Sequence, residues 1–229
     1  MAEQETILVV AAHPDDCDAG CGGSCARWSS EGYRVILAVA TNGEKGSADL
    51  EMTPQRLIEL RDAEQRAASG HMGIEETIIL PNSDGELADN YEFRGQLVRL
   101  IRKYRPFRIV THNPFQWQHR DHRMSGQVSL DASYPYARDR LHYPELEQEG
   151  LTPHKVREVY LFAGMNAEEY DVEVDITDFF EHKLSALASH VSQFGPPEET
   201  RKRWRARWEE RMKNEGKFRE RFIKVEFPT

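Results

Sequence analysis

A chain of 229 residues, 39% hydrophobic and 30% charged, is long enough to bury the core of one large domain. Its net charge of -9 argues against a general nucleic-acid binder, which needs a basic face to neutralise phosphates, and against an anionic membrane surface. No apolar run approaches the ~18 residues that span a bilayer, no basic-then-apolar leader opens the chain, and three cysteines in one short segment do not make a disulfide framework; a cytoplasmic protein with free thiols is expected.

Thr6 to Ala12 reads as a buried strand stopped by Pro14, which has no N–H to offer a ladder. His13, Asp15 and Asp16 therefore belong to a stiff turn at the strand's carboxyl end. Asp18 to Gly32 follows as a helix opening on small residues, with Cys17, Cys21 and Cys25 spaced like one helical face. Arg34 to Ala40 is the second strand and Thr41 to Gly46 the loop beyond it. Thr53-Pro54 starts a helix that runs to about Ser69. Thr77 to Leu80 is a short third strand, and Asn82 to Asp89 a loop cornered at Asp84-Gly85.

Phe93 to Tyr104 is an amphipathic helix with Leu97, Leu100 and Ile101 on one side, ended by Pro106. Phe107 to Thr111 is the fourth strand, followed by a loop from His112 to Asp121 and a helix to Tyr134. Residues 138 to 155 read as irregular, Val156 to Phe162 and Tyr170 to Val174 as strands, and Thr177-Asp178 as the cap of a helix reaching Val191. Beyond Gly195-Pro196-Pro197 the charged run from Glu198 to Arg221 reads as a terminal helix, with Trp204 and Trp208 as a packing stripe. The alternation predicts an α/β fold, a Rossmann-like three-layer sandwich around a mostly parallel sheet with 3-2-1-4-5 core order. Residues 1–195 form the domain on this reading, and 196–229 a charged helical extension packed on it.

In a sheet of that order strands one and four are neighbours at the switch point, where ligands bind outside the carboxyl ends. His13-Pro14-Asp15-Asp16 follows the one and Gln118-His119-Arg120-Asp121-His122 the other. His13, Asp16 and His122 make a two-histidine, one-carboxylate set that leaves a position open for water, as catalytic zinc requires. Such an ion acidifies the water and polarises a carbonyl. Asp15 is placed as general base, Asp121 to orient a neighbouring imidazole, and His119 to carry positive charge near the leaving group. Each cluster alone is compatible with an ordinary capped turn or surface histidines; it is their shared end of the sheet that points to metal. His71, His112, His142, His154 and His182 read as structural or surface residues, and Lys183 as a solvated helix residue.

Ala12-His13-Pro14-Asp15-Asp16, Gly20-Cys21-Gly22-Gly23, Thr41-Asn42-Gly43-Glu44, Arg61-x-x-Glu64, Asp84-Gly85-x-Leu87 and His119-Arg120-Asp121-His122 occur in the order found in the LmbE-like (PIG-L) de-N-acetylases, which this chain resembles from Ile7 to about Gln193. Lys183 and His190-Val191-Ser192-Gln193 resemble that family's late helix. The resemblance implies a zinc hydrolase that releases acetate from an N-acetylglucosamine-type sugar. It implies His13, Asp16 and His122 as zinc ligands and Asp15 as base, with His119 and Asp121 in support. It further implies Arg61 as a substrate contact, His190 as an active-site residue, and a homo-oligomer. Cys17 departs from the glutamate usual at its position, which opens a soft-metal reading for that thiol. Two rivals use the same residues differently: hydrolysis of another amide or a thiol conjugate, and a non-catalytic carbohydrate-binding relative. A third, a glycine-rich cofactor loop of methyltransferase type over Asp18 to Gly23, leaves the histidines without a reason.

Overall fold

Strand β1 (Thr6–Ala11) is buried along its whole length, with β2 (Arg34–Thr41) parallel to it on one side and β4 (Arg108–Thr111) on the other. That position explains its unbroken apolar run, because both faces are covered by helices. Successive side chains point to opposite faces. Ile7, Val9 and Ala11 enter one core with Trp28, Ala68, Met72, Phe180 and Leu184, while Leu8 and Val10 enter a second core with Phe93, Leu97, Ile101 and Val128. The first core lies under α1 (Asp16–Ser30), α2 (Pro54–His71), α6 (Phe180–Ser189) and α8 (Pro197–Met212); the second lies under α3 (Tyr91–Tyr104) and α4 (Arg120–Asp131). The short helices α5 (Glu145–Gln148) and α7 (Val191–Phe194) complete the set in this computed structural model, which describes residues 4–163, 169–213 and 216–227.

The sheet has the order β3-β2-β1-β4-β5-β7-β6, where β3 is Glu76–Asn82, β5 Glu158–Phe162, β6 Val172–Asp175 and β7 Arg219–Glu226. The expected 3-2-1-4-5 core is present and parallel. The edge beyond β5 differs from the sequence reading, since β7 runs antiparallel between β5 and β6. No helix among the described residues is long and apolar enough to cross a membrane.

The terminal segment is thus not one helix. After α8 the chain crosses residues 214–215, which lie outside the described ones, and returns as β7. Its charges conceal a strand, because they are spent on neighbours: Arg219 and Arg221 pair with Glu173 of β6, and Lys224 with Glu158 of β5. Between them Phe222 is fully buried. Lys183 also departs from the reading as a solvated residue. It is completely buried on α6, donating to the carbonyls of Asp18 and Ala19 and to Glu220 Oε1 of β7 at 2.6 Å. Glu220 in turn accepts from the Gly23 and Ser24 amides inside α1. Trp204 packs at the margin of the first core and Trp208 is buried in it, with Lys183 Nζ 5.1 Å from the Trp208 ring centre.

One carboxylate therefore ties the tail to the first helix. Glu220→Ala leaves the Lys183 ammonium buried without its counter-charge and should lower stability by about 3–5 kcal/mol in urea unfolding; a loss under about 1 kcal/mol, the level of a surface pair, would show that the tail is dispensable to the fold.

Candidate active site

β1 ends in a turn that the backbone alone does not favour. Asp15 has a φ of 100°, the left-handed region that a residue with a side chain adopts only when its surroundings hold it there. Here they do. The Asp15 amide donates to Gln65 Oε1 at 2.8 Å, and Arg61 Nη2 donates both to the Pro14 carbonyl at 2.6 Å and to Asp15 Oδ2 at 3.1 Å. Arg61 Nη1 donates to the carbonyl of Gly43, whose own φ of 68° and close approach to the guanidinium leave no room for a Cβ. Arg61 and Gln65 lie one turn apart on the buried face of α2.

Beyond the turn three potential ligand residues converge. His13 Nδ1 is 3.3 Å from Asp16 Oδ2 and 3.3 Å from His122 Nε2, and His122 Nε2 is 3.1 Å from Asp16 Oδ1. Donors bound to one zinc at about 2.0–2.1 Å in tetrahedral array stand about 3.3–3.4 Å apart, so these separations have the size that such an ion needs, with Asp16 offering a different oxygen to each imidazole. The donor set of two imidazoles and a carboxylate is also the right chemistry for it. The other ring nitrogen of His13 faces Asp84 Oδ1 at 3.1 Å and Asp121 Oδ2 at 3.3 Å. With an ion bound, a proton on Nε2 directed at those carboxylates would leave Nδ1 as the ligating atom, the usual device for orienting such an imidazole. Asp121 is itself held by the Gly85 and Leu87 amides, and Asp84 by the Lys45 amide.

The electrostatics show how negative the pocket is. Burial by itself would lower the pKa of His13, but Asp121, Asp16 and Asp84 raise it to about 11. A proton there does what a cation would do. Asp16 is buried too, which would raise its pKa, yet the imidazoles of His112, His122 and His13 hold it well below the usual carboxylate range. Asp15 goes the other way. Burial and the neighbouring Asp16 charge push it up to about 7, with Arg61 opposing.

His119 is exposed, its ring edge-on to His13 at 4.8 Å, and its Nδ1 accepts from the Asp121 amide. Its ring nitrogens also lie close enough to those of His13 and His122 for the three to make a further candidate metal group. His190 is placed otherwise. It interrupts the late helix, with φ of -85° and ψ of 65°, and is fully buried with Nε2 3.3 Å from Asp18 Oδ2. Gln65 Nε2 donates to the same Asp18 oxygen, so His190 stands behind the Asp15 turn and not in front of it. Arg61 is likewise 3% exposed and its hydrogen bonds go to the turn, which makes it a brace for Asp15 where the sequence resemblance implied a substrate contact. Cys17 does not join the imidazoles; its sulfur lies against those of Cys21 and Cys25 in the first core.

His112 is the residue that sequence reasoning missed. It is buried, stacks on His122 at 4.2 Å and lies 3.4 Å from Asp16 Oδ2. It is near enough to form a second grouping with Asp16 and His122, but its Nε2 accepts the Ala12 N–H at 3.1 Å. With that lone pair taken and burial lowering its pKa, His112 is a neutral wall against which His122 is set. The signal for it was available: His112 is the residue immediately after the fourth strand, the place a switch-point ligand or its support occupies. Glu64 and Gln193 were likewise unassigned. Glu64 accepts from the Ser192 amide and hydroxyl, and Gln193 donates to the Gly46 carbonyl, which joins α2, the segment after His190 and the second-strand loop.

The sequence profile of the PIG-L family, described as GlcNAc-PI de-N-acetylase, matches residues 8–133, a span holding both His/Asp clusters. The chain belongs to the PIG-L family. It is accordingly an N-deacetylase, a hydrolase acting on an amide. Among relatives, the diacetylchitobiose deacetylase of Thermococcus kodakarensis is 30% identical over 200 residues, covering 86% of this chain and 73% of that protein. The mycothiol S-conjugate amidase of Streptomyces coelicolor is 26% identical, over 86% of this chain and 85% of the relative. The N,N'-diacetylchitobiose deacetylase of Pyrococcus horikoshii superposes with a TM-score of 0.86 at 26% identity, covering 98% of this chain and 85% of that one. PIG-L deacetylases are metal-dependent, and the structure brings candidate metal-binding side chains together at His13, Asp16, His112 and His122.

If Asp121 sets the His13 ring, Asp121→Asn should reduce metal affinity by about 10- to 100-fold in a chelator competition, with the far-UV spectrum unchanged. Unchanged affinity would mean that His13 keeps its orientation without it.

Proposed function

We propose that this PIG-L enzyme is a zinc-dependent hydrolase that removes the N-acetyl group from an N-acetylglucosamine-type amino sugar or its conjugate. The observation that carries the reading is the donor triangle of His13, Asp16 and His122, with Asp15 braced beside it at the carboxyl ends of β1 and β4. The sugar class is supported by the names of the deacetylase relatives and by the family description.

His13, Asp16 and His122 would hold the ion. When bound, zinc lowers the pKa of water to ~7 and draws electron density from the acyl carbonyl as a Lewis acid. Asp15 then acts as the base: its oxygen accepts the proton of the attacking water as the new C–O bond forms at the acyl carbon. A carboxylate with its pKa raised to about 7 is matched to both taking and returning that proton near neutrality. Arg61 keeps Asp15 aimed and keeps the charged form accessible despite burial. The C–N bond breaks as the amine nitrogen gains a proton, from Asp15 or from His119. Acetate and the free amine leave. His190 contributes by closing the wall behind Asp18 and Gln65, so its effect on turnover runs through the Asp15 turn.

The amidase relative favours one alternative, in which the same centre cleaves the amide of a thiol conjugate. Assaying the zinc-loaded protein for both acetate and freed amine over N-acetylglucosamine, its β-linked disaccharide and amino-sugar thiol conjugates separates the two. Acetate from the sugars is expected; cleavage confined to the thiol conjugates would move the assignment to the amidase. Asp15→Asn should lower kcat by about 10²- to 10⁴-fold while metal content stays at the wild-type level, and a folded variant with unchanged kcat would remove Asp15 from the role of base.

A further inference from the structure

α1 is bent at Cys21, whose φ of -145° and ψ of 20° fall outside the helical range. In a straight helix residues eight apart are separated by about 12 Å along the axis. Here the sulfurs of Cys17 and Cys25 are 3.9 Å apart, and both reach Cys21 Sγ, at 3.8 and 3.6 Å. The three make a nearly equilateral triangle, wholly buried and without a disulfide. Thiolates held about 2.3 Å from one atom at the narrower angles of a three-coordinate pyramidal centre stand about 3.4 Å apart, so the triad has to close by only a few tenths of an ångström. The feature that plain packing of small residues does not require is the bend itself, which brings residues eight apart to within 3.9 Å.

The surroundings decide which guest fits. The triad lies in the first core among Val39, Ala68, Met72 and Leu184. The nearby Glu220 carboxylate is committed to Lys183 and to the Gly23 and Ser24 amides, so Lys183 brings no spare positive charge. Three thiolates around a divalent ion would leave a net negative charge in a dry pocket, at a high desolvation cost. Three thiolates around a trivalent centre leave none.

We propose that Cys17, Cys21 and Cys25 form a binding site for a trivalent thiophilic metalloid, of which arsenite is the simplest probe. Three S–H and three As–O bonds break, three As–S bonds form, and each thiol proton leaves with a hydroxide as water. Nothing is oxidised or reduced, and the complex is neutral. All three cysteines are fully buried, so uptake requires a local opening of the core; Met72, which lines a groove of about 380 Å³ together with Ala26 and Ser29, has its sulfur against Gly22.

The test is to incubate the reduced, full-length protein with excess arsenite and measure intact native mass and arsenic X-ray absorption. One arsenic per chain is expected, seen as a mass gain of one arsenic less three hydrogens, with three sulfur neighbours and no oxygen. Cys21→Ala and Cys25→Ala should each weaken uptake by more than the roughly 10- to 100-fold that loss of an outer-shell partner costs a metal site. No uptake by the folded chain, a shell containing oxygen, or uptake unaltered in the variants would each overturn the site. Should a variant fail to fold, the shell measured on the unaltered chain decides alone. None of these readouts uses turnover, and the deacetylase centre contains no thiol, so the two readings stand or fall separately.

Discussion

Four carboxylates, those of Asp15, Asp16, Asp84 and Asp121, crowd the carboxyl end of one buried strand, and they cohere there only with positive charge among them. Arg61 answers Asp15; His13 answers the other three. The same crowding separates the two adjacent aspartates into opposite chemical characters. Asp16, ringed by imidazoles, is held well below the usual carboxylate range, while Asp15, buried next to that charge, is pushed up to about 7. The two are adjacent in the chain, and the first of them has the left-handed backbone, with a φ of 100°.

Holding that backbone is the work of elements far away in the chain. α2 presents Arg61 and Gln65 from one face, and Glu64 on the same helix fixes Ser192 next to the break at His190. Gln193 and Arg61 then reach the loop after β2 at Gly46 and Gly43. The site is therefore pre-set by hydrogen bonds to carbonyls and amides of packed elements, the arrangement expected where reacting groups must keep their geometry without a large reorganisation. Support extends to the sheet edge, since Lys183 and Glu220 anchor α1, whose first turn carries Asp16.

Local pattern was enough to read the parallel core of the sheet and the ends of strands one and four, because an apolar run closed by Pro14 and a helix opened by Thr53-Pro54 are decided by covalent geometry and capping within a few residues. It was not enough for β7. A run in which charge outweighs apolar residues looks solvated until Glu173 and Glu158 are known to lie across from it. It was not enough for Lys183 or His112 either, each of which looks ordinary in sequence and is buried only because of partners from other elements, Glu220 for the one and Asp16 with Ala12 for the other.

The amino-acid order by itself determined which residue types stand at the strand ends, and with them the class of chemistry: imidazole and carboxylate in pairs after two strands that neighbour one another. Tertiary structure alone decided that His13 Nε2 lies against Asp84 and Asp121, that Arg61 and His190 are buried beside the Asp15 turn, and that three cysteines meet. The physical reason is distance. Tautomer, burial and charge are set by atoms within a few ångströms, and for these groups most of those atoms belong to segments remote along the chain.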